Sequence, residues 1–442
     1  MNNKKIKFVI LDDDPTGIQT IHGCLLLTCW NPVALEKAFR DNLPFFYILT
    51  NSRAYAPPKV KKIIAQITKN ILTVNQFFDY RIAFISRSDS TLRGHFPLEI
   101  NTILQYWEPN FHLKIDAIFM IPAFFEGNRI TYNNTHFIRS NTGDIPTHQT
   151  EFAKDSIFGY ASSYLPTYIE DKTKRHIKAG QIRYISISML KPERKKNLSA
   201  FLANLQNRQM VIVNATNYEQ LNSFSEAVLA MMKMGKNFLF QSAASLVKSL
   251  TKNPDQPLLS HQMISKKGPG LFIIGSYVNQ TTQQLQMLLD NTSVFPLEIS
   301  VNKIMIQKNY QDYLLIIRQK IIQTMQANKT PVVFTTRKEI FPSSKKERIL
   351  LGQKISIFLS ELVKKLPVQP SYLVAKGGIT SHQILSEGLL VKESRVLGQI
   401  LPGIPVISLP HTHQYSNLPF IIFPGNVGDE NALVDIFRKF NI

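Results

Sequence analysis

Short apolar runs alternate with longer amphipathic stretches along almost the whole chain of 442 residues. This alternation constrains the fold more than any other feature. The runs Lys7–Leu11, Phe45–Thr50, Arg81–Ser86, Ile115–Ile121, Met210–Asn214, Leu271–Gly275, Val332–Thr335 and Tyr372–Ala375 read as strands. The segments Lys59–Phe78, Thr281–Leu289, Tyr313–Gln326 and Glu347–Leu366 carry apolar residues three and four apart, the spacing of one helix face. Strand–helix alternation predicts βαβ units and an α/β fold with mainly parallel sheets flanked by helices. Ligands of such sheets bind beyond the carboxyl ends of the strands. The residues just after each run therefore come first in a search for chemistry.

The polar, Pro-containing stretch 251–257 and the Lys-Lys-Gly-Pro-Gly stretch 266–270 separate the runs into two groups. Two domains are expected, at residues 1–250 and 268–442. Segment 125–185 has fewer strand signals and reads as an insertion or lid. No repeat of about 20–50 residues is present.

Five strand ends carry residues suited to chemistry. Asp12, Asp13 and Asp14 follow the first run and precede Pro15-Thr16-Gly17. Adjacent carboxylates repel unless a cation, basic side chains or N–H donors offset them. The plainer reading is a polar turn capped by Asp14. Arg87, Asp89, Ser90, Thr91, Arg93 and Gly94 follow the third run. Hydroxyls and Asp89 suit a helix cap, and paired arginines suit a carboxylate. Lys376-Gly377-Gly378-Ile379-Thr380-Ser381, Pro424-Gly425-Asn426-Val427-Gly428 and Gly275-Ser276 are glycine turns. Glycines admit close backbone approach and suit phosphate or nucleotide contacts. Each turn is weak alone, and the three together carry more.

Several classes are excluded. The chain has no G-x-x-x-x-G-K-[ST], no G-x-G-x-x-G and no G-x-S-x-G. His411 and His413 read as part of a flexible surface loop rather than a zinc site. Cys24 and Cys29 are the only cysteines and read as small core hydrophobes. No run reaches the ~18–20 apolar residues of a membrane span, and the first run is too short for a signal-peptide core. A cytoplasmic protein without membrane partners is expected. Lys and Arg exceed Asp and Glu by 51 to 31, a net charge of +20. Solvated basic faces or a field that draws in anionic small substrates account for this. Nucleic acid is not expected, because no zinc-finger, RNP or homeodomain pattern is present.

These motifs resemble those of the four-carbon acid sugar kinases, which include the tetronate kinases. Asp13-Asp14-Pro15-Thr16-Gly17 is similar to the family's Asp-Asp-x-Thr-Gly, and Asp89–Gly94 carries its Asp-Ser-Thr-Leu-Arg-Gly intact, with an acid at Glu99. Pro122–Arg129 resembles a Pro-Ala-Phe-Pro…Arg segment. Gly275-Ser276, Gly377–Ser381, Arg395–Gly403 and Pro424–Gly428 follow in family order, so the likeness spans nearly the whole chain. The resemblance implies a sugar-acid-binding N-terminal domain and an ATP-binding C-terminal domain, with the active site in the cleft between them. It implies phosphorylation of the terminal hydroxyl of an erythronate, threonate or 3-oxo-tetronate type of acid, with ATP and Mg²⁺. A homo-oligomer is left open.

By the same resemblance, Ser276, Gly377, Gly378, Thr380 and Gly425 would hold ATP. The carboxylates and arginines at two neighbouring strand ends give a mechanism: Arg87 and Arg93, beside Asp89 and Ser90, would hold the substrate, and Asp13 or Asp14 would accept the proton of its hydroxyl. The chain departs from the family at Ile379, where many members carry an acid, and at Arg87, where many carry lysine. Asp14-Pro15 points to a subgroup whose substrate differs from a tetronate. Two other readings stand beside the kinase. One is a phosphohydrolase with Asp12 as nucleophile. The other is a catalytically weak sugar-acid-binding regulator.

Overall fold

The computed structural model describes residues 4–111, 114–261, 267–276, 278–305, 310–337, 345–425 and 427–441. The chain forms two compact units, Met1–Asp255 and Gln256–Ile442.

The first unit is built on eight parallel strands: β1 Ile6–Asp12, β2 Leu25–Leu27, β3 Phe45–Leu49, β4 Arg81–Arg87, β5 Ala117–Ile121, β9 Arg183–Ile185, β10 Gln209–Val213 and β11 Phe238–Ser242. Their spatial order is β2-β3-β1-β4-β11-β5-β10-β9. Phe8–Leu11 and Phe45–Leu49 are buried on both faces, as expected where helices cover both sides of a parallel sheet. The helix Pro57–Asn75 buries Val60, Ile63, Ile64, Ile67 and Ile71, one apolar stripe at helical spacing. Each such side chain stabilises the fold by roughly 1.5–3 kcal/mol through burial. Pro57 and Pro58 sit in its first turn, where a missing N–H costs nothing.

Within segment 125–185 lies a small antiparallel sheet: β6 Arg129–Tyr132, β7 Thr135–Ser140 and β8 Gly143–Pro146. The β6–β7 turn is Asn133-Asn134, both left-handed at φ 48° and 59°. This is the mirror-image turn that matches strand twist, and asparagine tolerates it best after glycine. The expected insertion is therefore a sheet with its own ladder, and its strand signal was hidden by polar side chains.

The second unit holds β12 Leu271–Ile274, β13 Phe295–Ile299, β14 Pro331–Thr335, β15 Leu373–Lys376, β16 Glu393–Leu401, β17 Ile404–Ser408 and β18 Pro419–Phe423. Their order is β13-β14-β12-β15-β18-β17-β16. The five from β13 to β18 run parallel. β17 is antiparallel to both β18 and β16, so this sheet is mixed. The α/β architecture with mainly parallel sheets is thus present in both units.

Two smaller expectations meet different outcomes. Cys24 is buried, Cys29 is half-buried, and no disulfide joins them. The loop of His411 and His413 is pinned rather than loose. The His413 ring pairs through Nε2 with the Leu389 carbonyl at 2.7 Å and accepts the Tyr415 N–H at Nδ1. The buried Tyr415 hydroxyl then donates to the Leu366 carbonyl at 2.9 Å. Among the described residues, no helix is long and apolar enough to cross a membrane.

Candidate functional site

β1 is the point where the first sheet reverses its order of addition. The chain passes from β1 to β3 on one side and then to β4 on the other. Such a switch point opens a crevice beyond the strand ends. Three segments meet there: Asp12–Asp14 at the end of β1, Asn51–Arg53 after β3 and Arg87–Gly94 from the last residue of β4 onward. The parallel register places Asp12 beside both Leu49 and Arg87.

Arg53 ties the three segments together. Its Nε lies 3.2 Å from Asp13 Oδ2, its Nη2 2.7 Å from Asp14 Oδ2 and its Nη1 3.5 Å from Asp89 Oδ1. Arg87 is buried and spans the other side. Its Nη1 donates to Asp12 Oδ1 at 3.2 Å and lies 3.7 Å from Asp13 Oδ1. Arg93 Nε donates to Asp89 Oδ2 at 2.8 Å. Asp13, Asp14, Arg87, Asp89 and Arg93 therefore form one network. Ser90 is held separately, by its carbonyl, which accepts from His136 Nε2 at 2.7 Å. His136 Nδ1 pairs with the Thr131 hydroxyl. Burial holds this imidazole neutral, with its pKa lowered to about 4.

The three aspartates differ sharply. Burial pushes Asp12 up to about 8 despite the pull of Arg87. Burial also pushes Asp13 up, to about 6, against Arg53 and Arg87. Asp14 is buried enough to be raised, yet Arg53 and the two Thr16 donors hold it below the usual carboxylate range. Asp89 is likewise held down by Arg53 and Arg93 against its burial. Asp13 is 1% exposed. Its Oδ2 accepts from Ser88 Oγ at 2.9 Å, while Oδ1 has no hydrogen-bond partner. Behind it, Glu99 accepts from Ser52 Oγ at 2.5 Å and Ser86 Oγ at 2.7 Å, and burial raises its pKa. Glu99 thereby ties the Arg53 segment to β4.

Gly17 shows how closely Asp12 is enclosed. A Cβ there would lie 2.0 Å from Asp12 Oδ2, so no other residue fits unless that carboxylate moves.

In the second unit β12 is the switch strand, with β14 on one side and β15 on the other. The glycine turns converge at its end. A Cβ on Gly275 would meet Thr380 Oγ1 at 2.2 Å, one on Gly377 would meet Ser276 Cβ at 3.4 Å, and one on Gly425 would meet Ser276 Oγ at 3.1 Å. Gly377 has φ 112°, a conformation that favours glycine. Thr281 Oγ1 lies 3.0 Å from Ser276 Oγ and donates to the Gly425 carbonyl at 3.0 Å. Ser276, Gly377, Thr380 and Gly425 are thus brought together, and Gly378 opens the helix Gly378–Gln383 beside them. Asn426 lies outside the described residues.

Sequence reasoning left three residues of these sites without roles. Arg53 follows a strand run in Asn51-Ser52-Arg53, so its position after β3 was the available signal. Arg337 follows β14 and donates to the Ser276 carbonyl at 2.7 Å. Lys376 is fully buried, donates to the Pro424 carbonyl at 2.9 Å and sits 3.5 Å from the Phe423 ring centroid. Burial lowers its pKa to about 7.

A Mg²⁺ ion needs several free oxygen ligands. Asp13, Asp14 and Asp89 are already paired with guanidinium groups, and Asp12 is sealed by Gly17 and Arg87. Among the described residues no group of three His, Cys, Asp or Glu side chains could hold a metal. The carboxylates among the described residues therefore do not fit a protein-built Mg²⁺ site.

A family described as "Sugar-binding N-terminal domain" matches residues 8–250, and one described as "Nucleotide-binding C-terminal domain" matches residues 271–433. These two domains in this order define the architecture of a sugar-acid-kinase-like protein. The chain belongs to the four-carbon acid sugar kinase family. No curated protein matches it. Two solved structures share the fold. The Haemophilus influenzae protein HI1011, of family DUF1537, is 16% identical with a TM-score of 0.66, over 98% of this chain and 100% of that one. A proposed tRNA synthase from Salmonella typhimurium LT2 is 15% identical with a TM-score of 0.70, over 99% and 100%.

Proposed function

We propose that the protein is an ATP-dependent kinase that phosphorylates the terminal hydroxyl of a four-carbon sugar acid. Asp13 carries this reading. It is a buried carboxylate at the end of the central strand, with one oxygen unpartnered and a pKa near 6. A general base works best with a pKa near the working pH. Asp14 is the weaker base, because Arg53 and Thr16 occupy its oxygens and favour the charged form.

In this reading the substrate hydroxyl donates to Asp13 Oδ1, displacing the long 3.7 Å contact with Arg87. The hydroxyl oxygen forms a bond to the γ-phosphorus as its proton passes to Asp13. The bond from that phosphorus to the ADP oxygen breaks. Arg53, bridging Asp13, Asp14 and Asp89, keeps the carboxylates oriented and offsets their repulsion. Arg93 is the candidate of the Asp89–Gly94 motif that is open to a substrate carboxylate. Ser276, Gly377, Gly378, Thr380 and Gly425 supply the close backbone approach that nucleotide phosphates need. Catalysis of this kind is largely positioning and electrostatics.

The phosphohydrolase reading fares worse. Asp12 is fully buried, packed against Gly17, and carries a proton at neutral pH. A protonated carboxyl is a poor nucleophile.

The deciding experiment is an ATP-consumption screen with Mg²⁺ against erythronates, threonates, 3-oxo-tetronates and related acids. The expected result is turnover with one acid and phosphate on its terminal hydroxyl. ATP binding without turnover of any acid would favour the regulatory reading. Phosphoenzyme formation at Asp12 without ATP would favour the hydrolase.

A further inference from the structure

Arg53, Arg87 and Arg93 of the first crevice differ from Arg129, which lies near the same Phe152 ring as Arg93. Arg53, Arg87 and Arg93 each lie within 4 Å of at least one carboxylate. Arg129, the first residue of β6, lies that close to none among the described residues. Its guanidinium donates to the Gly127 carbonyl, and its buried Nε has no hydrogen-bond partner. A partly buried guanidinium without a counter-ion is costly, and natural sites remove that cost with an anion.

Arg129 is also held in place. Its N–H donates to the Phe124 carbonyl at 2.8 Å, and its carbonyl accepts from Phe124 N–H at 3.0 Å. Between them Asn128 is left-handed at φ 62°. A Cβ on Gly127 would lie 2.8 Å from Arg129 Nη1, so a side chain at residue 127 would displace the guanidinium. Arg129 shares one aromatic ring with Arg93. The guanidinium carbons lie 5.9 Å and 5.0 Å from the Phe152 centroid, respectively. Asp89 attracts Arg129 from further off, Arg93 repels it, and Glu151 attracts it weakly. Two cations beside one ring, one of them unpaired, make a receptor for a single carboxylate.

We propose that Arg129, with Arg93 beside the same Phe152 ring, is the receptor for the carboxylate of the sugar acid and sets the preference for acids over uncharged polyols. The proposal rests on the sugar-acid reading and deepens it. It moves the carboxylate handle from Arg87, whose guanidinium is occupied by Asp12 and Asp13, to the small antiparallel sheet.

The test is calorimetric titration of the full chain, without ATP, with erythronate, threonate, erythritol and threitol. The wild-type chain should bind at least one acid and bind its polyol much more weakly. Arg129→Gln should weaken acid binding by roughly 10- to 100-fold, the weight of a charge-assisted hydrogen bond. Polyol binding should change less than about threefold. Arg129→Lys keeps the charge but loses the planar fork, so it should fall between the two. It also serves if Arg129→Gln does not fold. Unchanged acid binding in either variant overturns the proposal. So does an equal loss of acid and polyol, or a wild-type chain that prefers polyols or binds no acid. Acid binding that depends on Arg129 without ATP turnover would sink the kinase reading and leave this one standing.

Discussion

Asp12 and Asp13 are neighbours with different tasks. Asp13→Asn removes the proton acceptor while keeping shape and an acceptor oxygen for Ser88. We expect kcat to drop by about 10²–10⁴-fold with folding intact, measured by turnover and circular dichroism. For the wild type, kcat/KM should fall as the pH drops through about 6, where Asp13 takes up a proton. Stability moves the other way. Both carboxyls have folded-state values above their ordinary 3.8, so the native state holds protons that the unfolded chain has released. Their contribution is fully present below about pH 4 and is lost as pH rises through about 6 for Asp13 and about 8 for Asp12. Asp12→Asn keeps an acceptor for Arg87 but never ionises. Its melting temperature, relative to wild type, should be higher at pH 8 than at pH 5. A constant difference across that range would mean that Asp12 does not titrate there.

At the scale of elements, the turn after β12 depends on the absence of a side chain at residue 275. Gly275→Ala would force Thr380 to move, and overpacking of this kind costs about 1–3 kcal/mol. We expect KM for ATP to rise by roughly tenfold or more, with KM for the acid unchanged. Equal rises in both would point to general loosening. The strand β15 ends on the buried Lys376, and the helix after it opens on Gly378. Ile379 stands between them and Thr380 with 63% of its surface exposed. An acid at that position would face water without a desolvation cost, so the departure from the family pattern disturbs no packing. The β6–β8 sheet was the element least visible beforehand. Its strands are short and only partly buried, so neither a continuous apolar run nor a clean alternation marks them.

Over the whole molecule, the charge of +20 acts as a field. Both proposed substrates are anions, and a positive field raises their encounter rate in a salt-dependent way. We expect kcat/KM for the acid and for ATP to fall as ionic strength rises from 0.02 to about 0.3 M. A flat profile would mean that the excess lysines and arginines serve only as solvated faces.

Much of this protein was written in local pattern. Buried parallel strands need unbroken apolar runs, so β1, β3, β4, β12, β14 and β15 were legible to within a residue or two. Glycine turns and the Asp-Ser-Thr-Leu-Arg-Gly signature are also local, so the motif residues could be named in advance. Partnership is not local. Arg53 lies about 40 residues from both Asp13 and Asp89, and only strand order brings the three together. Whether an arginine is spent on carboxylates, as Arg87 is, or has none within 4 Å among the described residues, as Arg129, depends on what the fold sets beside it. The same holds for protonation. Asp12, Asp13 and Asp14 are identical side chains in one run, and only burial and guanidinium contacts separate their titration. The sequence determined the strands, the turns and the kinds of chemistry on offer. The tertiary structure decided which charges cancel, because Coulombic and desolvation energies depend on distance in space and not along the chain.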